Sequence, residues 1–289
     1  MIKVIKYFLQ SVIIYLFFIL IKLIGLSLSR KLFSYIFNKI GPLIKSDVVI
    51  NNNLDKFIGS YNQTIKDNIK IKMWSNYGKT FVEYLYLNRF RKENSHIKIK
   101  SEHILQNIIE TNKPVIFVSG HFANFELMSM ELTRKKINLA TVYRPLNNFF
   151  LNPFMEYLRK TYVCKNQIKK GLSGVKSAIS YIRNNHSIAL MIDQRVSEGK
   201  KIPLFENMAL TTTLPSQLAL KFNLRIVPIY IARKKDDNFE MEIYEPLEIS
   251  NKKNYEENKL DISIKLNKIL EEMISKDPGQ WIWTHNRWK

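Results

Sequence analysis

Residues 113–126 read Lys-Pro-Val-Ile-Phe-Val-Ser-Gly-His-Phe-Ala-Asn-Phe-Glu, and the rest of the chain is interpreted from this stretch. Pro114 opens a run of β-branched and aromatic side chains at 115–118, the composition of a strand that is buried on both faces. A glycine ends the run. From 122 to 136 apolar residues recur at three- and four-residue intervals, which predicts an amphipathic helix. We therefore expect the strand to turn directly into the helix, with His121 at the corner.

The spacing of His121 and Glu126 indicates a catalytic pair. Residues five apart on a continuous helix point about 140° away from each other, so His121 must lie in the turn and Glu126 in the first turns of the helix. Glu126 can then accept a hydrogen bond from one imidazole nitrogen, which leaves the other nitrogen free as a base. A substrate hydroxyl would supply the nucleophile for an activated acyl carbon, and backbone amides near the helix start would stabilise the oxyanion. The alternative is a surface histidine near an unrelated glutamate.

Composition and charge narrow the class of protein. With 289 residues and 46% hydrophobic content, the chain can bury a sizeable core. Its one cysteine, Cys164, excludes an internal disulfide framework and a multi-cysteine zinc site, and we predict no metal site. The 45 basic and 25 acidic residues give a net charge of +20, which favours an anionic partner. Nucleic acid, acidic lipid and an acidic carrier protein all fit that charge.

The N-terminal segment favours a membrane over nucleic acid. Residues 7–28 are apolar apart from a glutamine, Lys22 and a few hydroxyls, close to the roughly 20 residues that span a bilayer. We therefore predict a membrane anchor over residues 1–28. A cleaved signal peptide is an alternative, but the small-residue candidate at 27–29 is followed at once by basic residues. Basic residues flank both ends and give no firm orientation, and a helix that lies in the interface is also open.

The remaining pattern predicts an α/β fold, a central mostly parallel sheet flanked by helices. Residues 29–100 are expected to form a membrane-proximal helical region, and residues 101–289 the α/β domain. Further strands are predicted at 138–144, 187–191, 224–231 and 239–247, and helices at 152–162, 172–185, 255–276 and from 214 onward. The last two strands are expected to form a hairpin.

Polar residues follow two of these predicted strands. Arg144 ends the strand at 138–144, and Asp193-Gln194-Arg195 follows the strand at 187–191. In open sheets of this kind, ligands bind outside the carboxyl ends of the strands. An arginine in that position suits a phosphate or carboxylate, although a structural ion pair would also explain it.

Several blocks of sequence together indicate a family. They are the N-terminal apolar helix, Gly-His-Phe-Ala-Asn-Phe-Glu at 120–126, Val-Tyr-Arg-Pro-Leu-Asn-Asn at 142–148, Asp193-Gln194, the threonines before Leu214-Pro215, and Gln-Trp-Ile-Trp-Thr-His-Asn-Arg-Trp-Lys at 280–289. In this order, over nearly the whole length, the chain resembles the lipid A biosynthesis acyltransferases, the late (lauroyl/myristoyl) acyltransferases of Gram-negative bacteria. One departure is Glu206, because relatives usually have a glycine after the phenylalanine.

The resemblance implies an activity and a site. The family moves a fatty acyl chain from acyl carrier protein to a hydroxyl of an acylated, phosphorylated glucosamine disaccharide, the lipid A precursor, without a cofactor. It implies His121 and Glu126 as the catalytic residues. The residues that we expect to contact the substrate are Asn124, Arg144, Asn147, Asp193, Gln194 and Arg195. The expected location is the bacterial inner membrane, with a single N-terminal anchor and the catalytic domain on the cytoplasmic side.

Two other functions fit parts of the sequence. A glycerolipid (lysophospholipid) acyltransferase shares the His-x4-acid spacing, and the fold is expected to be similar. That family usually carries a downstream Phe-Pro-Glu-Gly-Thr-Arg block, and this sequence has none. A non-catalytic basic membrane-binding protein would make the His121 and Glu126 pair incidental.

Overall fold

The computed structural model describes residues 2–60, 62–93, 95–249 and 254–289. Its strands are β1 (Ile97–Lys100), β2 (Ile116–Ser119), β3 (Leu139–Tyr143), β4 (Asn166–Lys169), β5 (Ser187–Met191), β6 (Lys200–Leu204), β7 (Asn207–Thr211), β8 (Ile226–Arg233) and β9 (Phe239–Ile243). Seven of them form one sheet in the order β1-β9-β8-β2-β5-β3-β4, and β6 and β7 form a separate hairpin.

Helices precede the sheet and cover it. They are α1 (Ile2–Ile24), α2 (Leu26–Ile44), α3 (Asp47–Ile58), α4 (Gln63–Glu83), α5 (Leu87–Lys92), α6 (Glu102–Thr111), α7 (Glu126–Arg134), α8 (Asn152–Leu158), α9 (Leu172–Arg183), α10 (Leu214–Phe222) and α11 (Tyr255–Lys276). A π-helical turn, Arg159–Val163, continues α8. The predicted sheet flanked by helices is confirmed, as is the antiparallel β8 and β9 hairpin. The predicted division of the chain at residues 28 and 100 stays a prediction.

The central strand β2 is buried on both faces, as its composition predicts. Ile116 and Val118 pack into the core beneath α9, α10 and α11, whereas Phe117 packs into the core beneath α6 and α7. Side chains alternate between the faces of a strand, so four consecutive apolar residues fill both cores. The strand is thereby fixed between two helical layers, and its carboxyl end has a defined position.

One predicted feature differs from the structure. The helix after β2 begins at Glu126 instead of 122, because residues 120–125 form an irregular turn.

Helix α2 continues through Pro42 to Ile44. Here α2 and α4 are in close contact: a Cβ on Gly78 would lie 2.1 Å from the Phe33 carbonyl oxygen. That approach requires glycine, and it joins the N-terminal helices to the rest of the chain.

The first helix has the length and composition of a membrane segment. It has 23 residues, its most apolar window has a mean hydropathy of 2.2, and only 17% of that window is buried. These properties are weak evidence of an anchor. The helix also contacts the rest of the protein, since Lys22 Nζ donates to the Leu85 carbonyl oxygen at 2.6 Å.

Candidate active site

Register places His121 beside Asp193. Strands β2 and β5 are parallel neighbours, with Ser119 opposite Met191, so the residues two positions beyond each strand end also lie side by side. The Nδ1 atom of His121 lies 2.8 Å from Oδ1 of Asp193, and the His121 amide donates to Oδ2 at 2.7 Å. The two strand ends thus form a histidine-carboxylate pair.

The surroundings of Asp193 favour the ionised form of its carboxyl group. Its side chain is fully buried, and Trp281 Nε1 donates a third hydrogen bond to it at 2.9 Å. Burial alone would raise the pKa of this carboxyl, but the charge of His121 and the hydrogen bonds from His121 and Trp281 outweigh burial and lower the pKa below its ordinary value. The carboxylate therefore favours the tautomer with the proton on Nδ1 of His121.

Hydrogen bonds to other parts of the chain fix the turn that contains His121. The Ala123 amide donates to the Gln280 carbonyl oxygen at 3.0 Å, and Ala123 adopts a left-handed conformation with φ of 45°. Asn124, 1% exposed, donates from Nδ2 to the buried carboxylate of Glu83 at 3.0 Å. Glu83 also pairs with Arg30 and Arg233. The turn is therefore fixed by α4 and by the C-terminal segment.

Glu126 binds a different set of partners. Its Oε1 atom accepts from Tyr84 Oη at 2.8 Å and from Arg159 Nε at 2.7 Å. Burial raises the pKa of Tyr84, and the Glu126 charge adds to that effect. Burial opposes the charge of Arg159, but the Glu126 and Tyr84 interactions outweigh it, so the pKa of Arg159 lies above its ordinary value. Arg159 heads the π-helical turn, a feature often found at functional sites.

The hydrogen bond that we expected from His121 to Glu126 is made to Asp193 instead. The irregular turn carries the imidazole toward β5, while Glu126 begins α7 and faces Arg159. The Nε2 atom of His121 has no hydrogen-bond partner among the described residues and is not enclosed. The geometry therefore leaves Nε2 free to accept a proton, in a ring that an aspartate orients.

His121 and Glu126 open onto the same cavity, which has a volume of about 480 Å³. Its wall includes apolar residues of β3 and β5 and of the π-helical turn, among them Val142, Leu190 and Val163. Arg144, Asn147, Gln194 and His285 also line it. A cavity with apolar walls and a few polar groups around a base suits a substrate with an acyl chain.

Basic side chains lie in the wall of the cavity. Arg144, Lys170 and Lys45 line it. No carboxylate lies within ion-pair distance of Arg144 in the ranges that the structure describes. Desolvation and the neighbouring Arg144 charge lower the pKa of Lys170. Such a cluster favours a phosphate or carboxylate on the ligand.

The predicted site residues divide into two groups. Arg144, Asn147 and Gln194 line the cavity. The strand β3 that leads to Arg144 is not adjacent to β2, because β5 lies between them. Asn124 is buried behind the turn. The amide of Arg195 donates to His285 Nε2 at 2.8 Å.

Four residues of the site were not predicted from the sequence. They are Tyr84, Arg159, Trp281 and His285. Their partners lie 33 to 90 positions away in the chain, and no local pattern encodes such contacts. The one usable signal is the C-terminal block at 280–289, whose three tryptophans and histidine mark it as packed.

With this geometry established, comparison with known families gives a clear result. A family model described as bacterial lipid A biosynthesis acyltransferase matches residues 2–289. The chain belongs to this family. No curated protein matches the sequence. Membership makes the protein a lipid A acyltransferase, and the family implies a lipid A precursor as its substrate.

Proposed function

We propose that this lipid A acyltransferase is a late-acting enzyme. It transfers a fatty acyl chain from acyl carrier protein to a hydroxyl on the acylated, phosphorylated glucosamine disaccharide. The observation that carries the proposal is the hydrogen bond of 2.8 Å between His121 Nδ1 and buried Asp193, which leaves Nε2 free beside a cavity with apolar walls. The positive cluster of Arg144, Lys170 and Lys45 supports phosphorylated or otherwise anionic substrates.

The proposed reaction uses His121 first as base and then as acid. Nε2 takes the proton of the acceptor hydroxyl, and the oxygen attacks the carbonyl carbon of the acyl thioester. The carbonyl electrons move to oxygen, which gives a tetrahedral oxyanion. When that intermediate collapses, the carbon–sulfur bond breaks, the thiolate leaves, and His121 returns the proton to it. Asp193 stabilises the imidazolium between these two steps.

Glu126 remains a proposed catalytic residue with a different role. Its Oε1 is bound by Tyr84 and Arg159, whereas no hydrogen-bond partner of Oε2 is found in the described parts of the chain. The side chain lines the cavity with His121. We assign Oε2 to a hydrogen bond with the acceptor hydroxyl, which aligns that hydroxyl with the base.

The proposed location is the cytoplasmic face of the bacterial inner membrane. The exposed apolar face of α1 supports membrane attachment, and a carrier-protein donor requires access from the cytoplasm. We propose contacts with substrate for Arg144, Asn147 and Gln194 because they line the cavity. Asn124, Asp193 and Arg195 are proposed to act from behind that wall.

The direct test is transfer by membranes that contain the protein. They are incubated with tetra-acylated disaccharide precursor and acyl carrier protein charged with a panel of acyl chains, and the products are weighed by mass spectrometry. His121→Ala is expected to lose about 10²- to 10⁴-fold in rate, the typical contribution of a general base. His103→Ala is the matched control, because the His103 side chain is 73% exposed.

Two results would contradict the proposal. One is wild-type turnover by His121→Ala at equal protein level. The other is transfer by the wild-type protein to glycerol phosphate lipids in preference to the disaccharide. A coenzyme A ester that replaces the carrier protein at equal efficiency would remove the carrier protein from the proposal but leave the chemistry unchanged.

A further inference from the structure

The oxyanion of the transfer reaction needs a donor, and the turn around His121 does not supply one from its first three amides. The amide of His121 donates to Asp193, that of Phe122 to the Gly120 carbonyl oxygen at 2.9 Å, and that of Ala123 to Gln280. Backbone amides near the helix start were the expected source of stabilisation, and the three that flank the imidazole already donate to protein acceptors. A side chain in the cavity wall is a further source of a donor.

The hydrogen bond that the His285 ring accepts determines which of its nitrogens carries the proton. Its Nε2 atom accepts the Arg195 amide at 2.8 Å, and an imidazole nitrogen that accepts a hydrogen bond carries no proton. Burial, the largest influence on this group, lowers the pKa of His285, so the ring is neutral at pH 7. The single ring proton therefore lies on Nδ1. Gln194, also in the wall, can present either oxygen or nitrogen and has no fixed donor.

The Nδ1 donor of His285 is not used by the protein. No partner is found for it among the described residues, and it is not enclosed within the fold. The ring lines the same cavity as His121. An N–H group that is oriented and uncommitted beside the base is available to a ligand.

The position of this ring is rigid. The His285 carbonyl oxygen accepts from Asn53 Nδ2 at 2.7 Å, and the preceding Thr284 shares a hydrogen bond of 2.8 Å with Tyr77. Four residues earlier, Trp281 binds the same Asp193 that orients His121. The C-terminal segment thus fixes both imidazoles relative to each other, as a preorganised donor requires.

We propose that His285 is a catalytic residue that donates its Nδ1 proton in a hydrogen bond to the oxyanion formed on the acyl carbonyl. The assignment rests on the proposed acyl transfer. His121 performs the proton transfers, and His285 keeps its proton throughout. Because the negative charge develops only in the transition state, the effect falls on kcat and leaves KM nearly unchanged.

Two amide substitutions separate this role from a structural one. In His285→Asn the amide nitrogen can occupy the place of Nδ1 but cannot reach Arg195. In His285→Gln the amide oxygen can reach the Arg195 amide in place of Nε2, but the Nδ1 donor is lost. We expect His285→Gln to lose about 10²- to 10³-fold in kcat, the usual cost of one oxyanion donor. We expect His285→Asn to stay within about tenfold of the wild type, with KM changed less than about threefold in both.

The measurements are kcat and KM with acyl carrier protein as donor, together with thermal unfolding of each variant in detergent. His285→Gln with kcat equal to or above that of His285→Asn would overturn the proposal, because the ring would then act through its bond to Arg195. Wild-type kcat in both variants would overturn it too. Failure of the proposed function looks different, since the wild-type protein itself would then not transfer the acyl chain.

Discussion

At the scale of single residues, the arrangement of the site depends on which carboxylate is hydrogen-bonded to His121. The sequence offers Glu126 at a suitable spacing and Asp193 far along the chain, and the spacing alone favours Glu126. The structure gives the hydrogen bond to Asp193, because the two strand ends are in register and the helix starts only at Glu126. The place of His121 in the turn after β2 follows from the local sequence. The identity of its partner depends on the strand order.

Asp193→Asn should remove the base while the fold remains. Oδ2 of Asp193 accepts from both the His121 amide and Trp281, so the asparagine oxygen takes that position and its NH2 group faces Nδ1. Nδ1 must then accept, the ring proton moves to Nε2, and the free base is lost. We expect transfer to fall about 10²- to 10⁴-fold, measured with saturating substrates.

The pH dependence of stability provides a control for this variant. The folded pKa of Asp193 is lowered, so its stabilising effect is present above the unfolded pKa of about 3.9 and is lost as the pH falls through the folded pKa. The wild type should be more stable than Asp193→Asn at pH 7, and the difference should narrow below about pH 4. Normal transfer by a folded Asp193→Asn protein would refute the assigned tautomer.

At the scale of elements, the sequence predicts the type of most segments and little of their arrangement. Strands β2, β3 and β5 and the helix α11 lie where the sequence predicts strands and a helix. The short strands β1 and β4 and the β6 and β7 hairpin were not predicted, because four or five residues of mixed polarity carry too weak a pattern. The insertion of β5 between β2 and β3 depends on packing between distant segments, and no local signal encodes it.

The turn of the β6 and β7 hairpin contains Glu206, the one departure from the family pattern, in a conformation that favours glycine. Leu204 pairs with Asn207, and the two residues between them, Phe205 and Glu206, have φ values of 49° and 59°. A two-residue turn with both central residues left-handed favours glycine at the second position. Phe205 packs its ring on Phe57, with ring centroids 4.9 Å apart, so its side chain is used, whereas Glu206 is exposed.

Glu206→Gly should therefore stabilise the protein. Relief of the left-handed conformation outweighs the entropy that glycine gains in the unfolded chain, and we expect a net gain of about 0.5 to 1 kcal/mol. The melting temperature in detergent should rise by about 2 °C. Glu206→Ala is the matched control, since it removes the carboxylate but keeps Cβ. If Glu206→Ala stabilises the protein equally, the effect comes from the loss of the carboxylate. If Glu206→Gly gives no increase in melting temperature, the backbone at this position is not strained.

At the scale of the whole molecule, charge and apolar surface together indicate how the enzyme meets its substrates. The net charge is +20, and Arg144 and Lys170 line the cavity. Such a field attracts anionic lipids and acidic proteins. In the proposed membrane-bound enzyme, the N-terminal helix α1 determines how close the cavity comes to the bilayer.

Helix α1 does not extend away from the body. Its Tyr7 ring packs on Phe149 at a centroid distance of 6.0 Å, Tyr15 donates to the Phe150 carbonyl oxygen at 3.1 Å, and Lys22 binds Leu85. These contacts cover about 22 Å of the helix. The segment at 149–150 follows shortly after Arg144, so α1 packs beside the chain that forms the cavity wall. In the proposed membrane-bound enzyme, lipid at the outer face of α1 would therefore lie close to the site.

The outer face of α1 can be tested without touching the contacts with the body. Leu9, Leu16 and Leu23 are 56%, 60% and 79% exposed, and their seven-residue spacing places them on one stripe of the helix. Each leucine buried in lipid contributes about 1 kcal/mol or more, so the triple change to serine should weaken binding to lipid vesicles at least about 100-fold. Sedimentation with vesicles that contain anionic phospholipid measures this.

The control is Leu172→Ser, because Leu172 is 90% exposed but lies on α9, where we expect no contact with lipid. Its vesicle binding should equal that of the wild type. The triple variant should unfold at the wild-type temperature, because other residues of α1, such as Tyr7, Tyr15, Phe18, Ile21 and Lys22, make the contacts with the body. It should also retain transfer to precursor dispersed in detergent while losing transfer to precursor in bilayers. Undiminished vesicle binding by the triple variant would mean that other surfaces hold the enzyme at the membrane, and the basic cavity rim would then be the next surface to test.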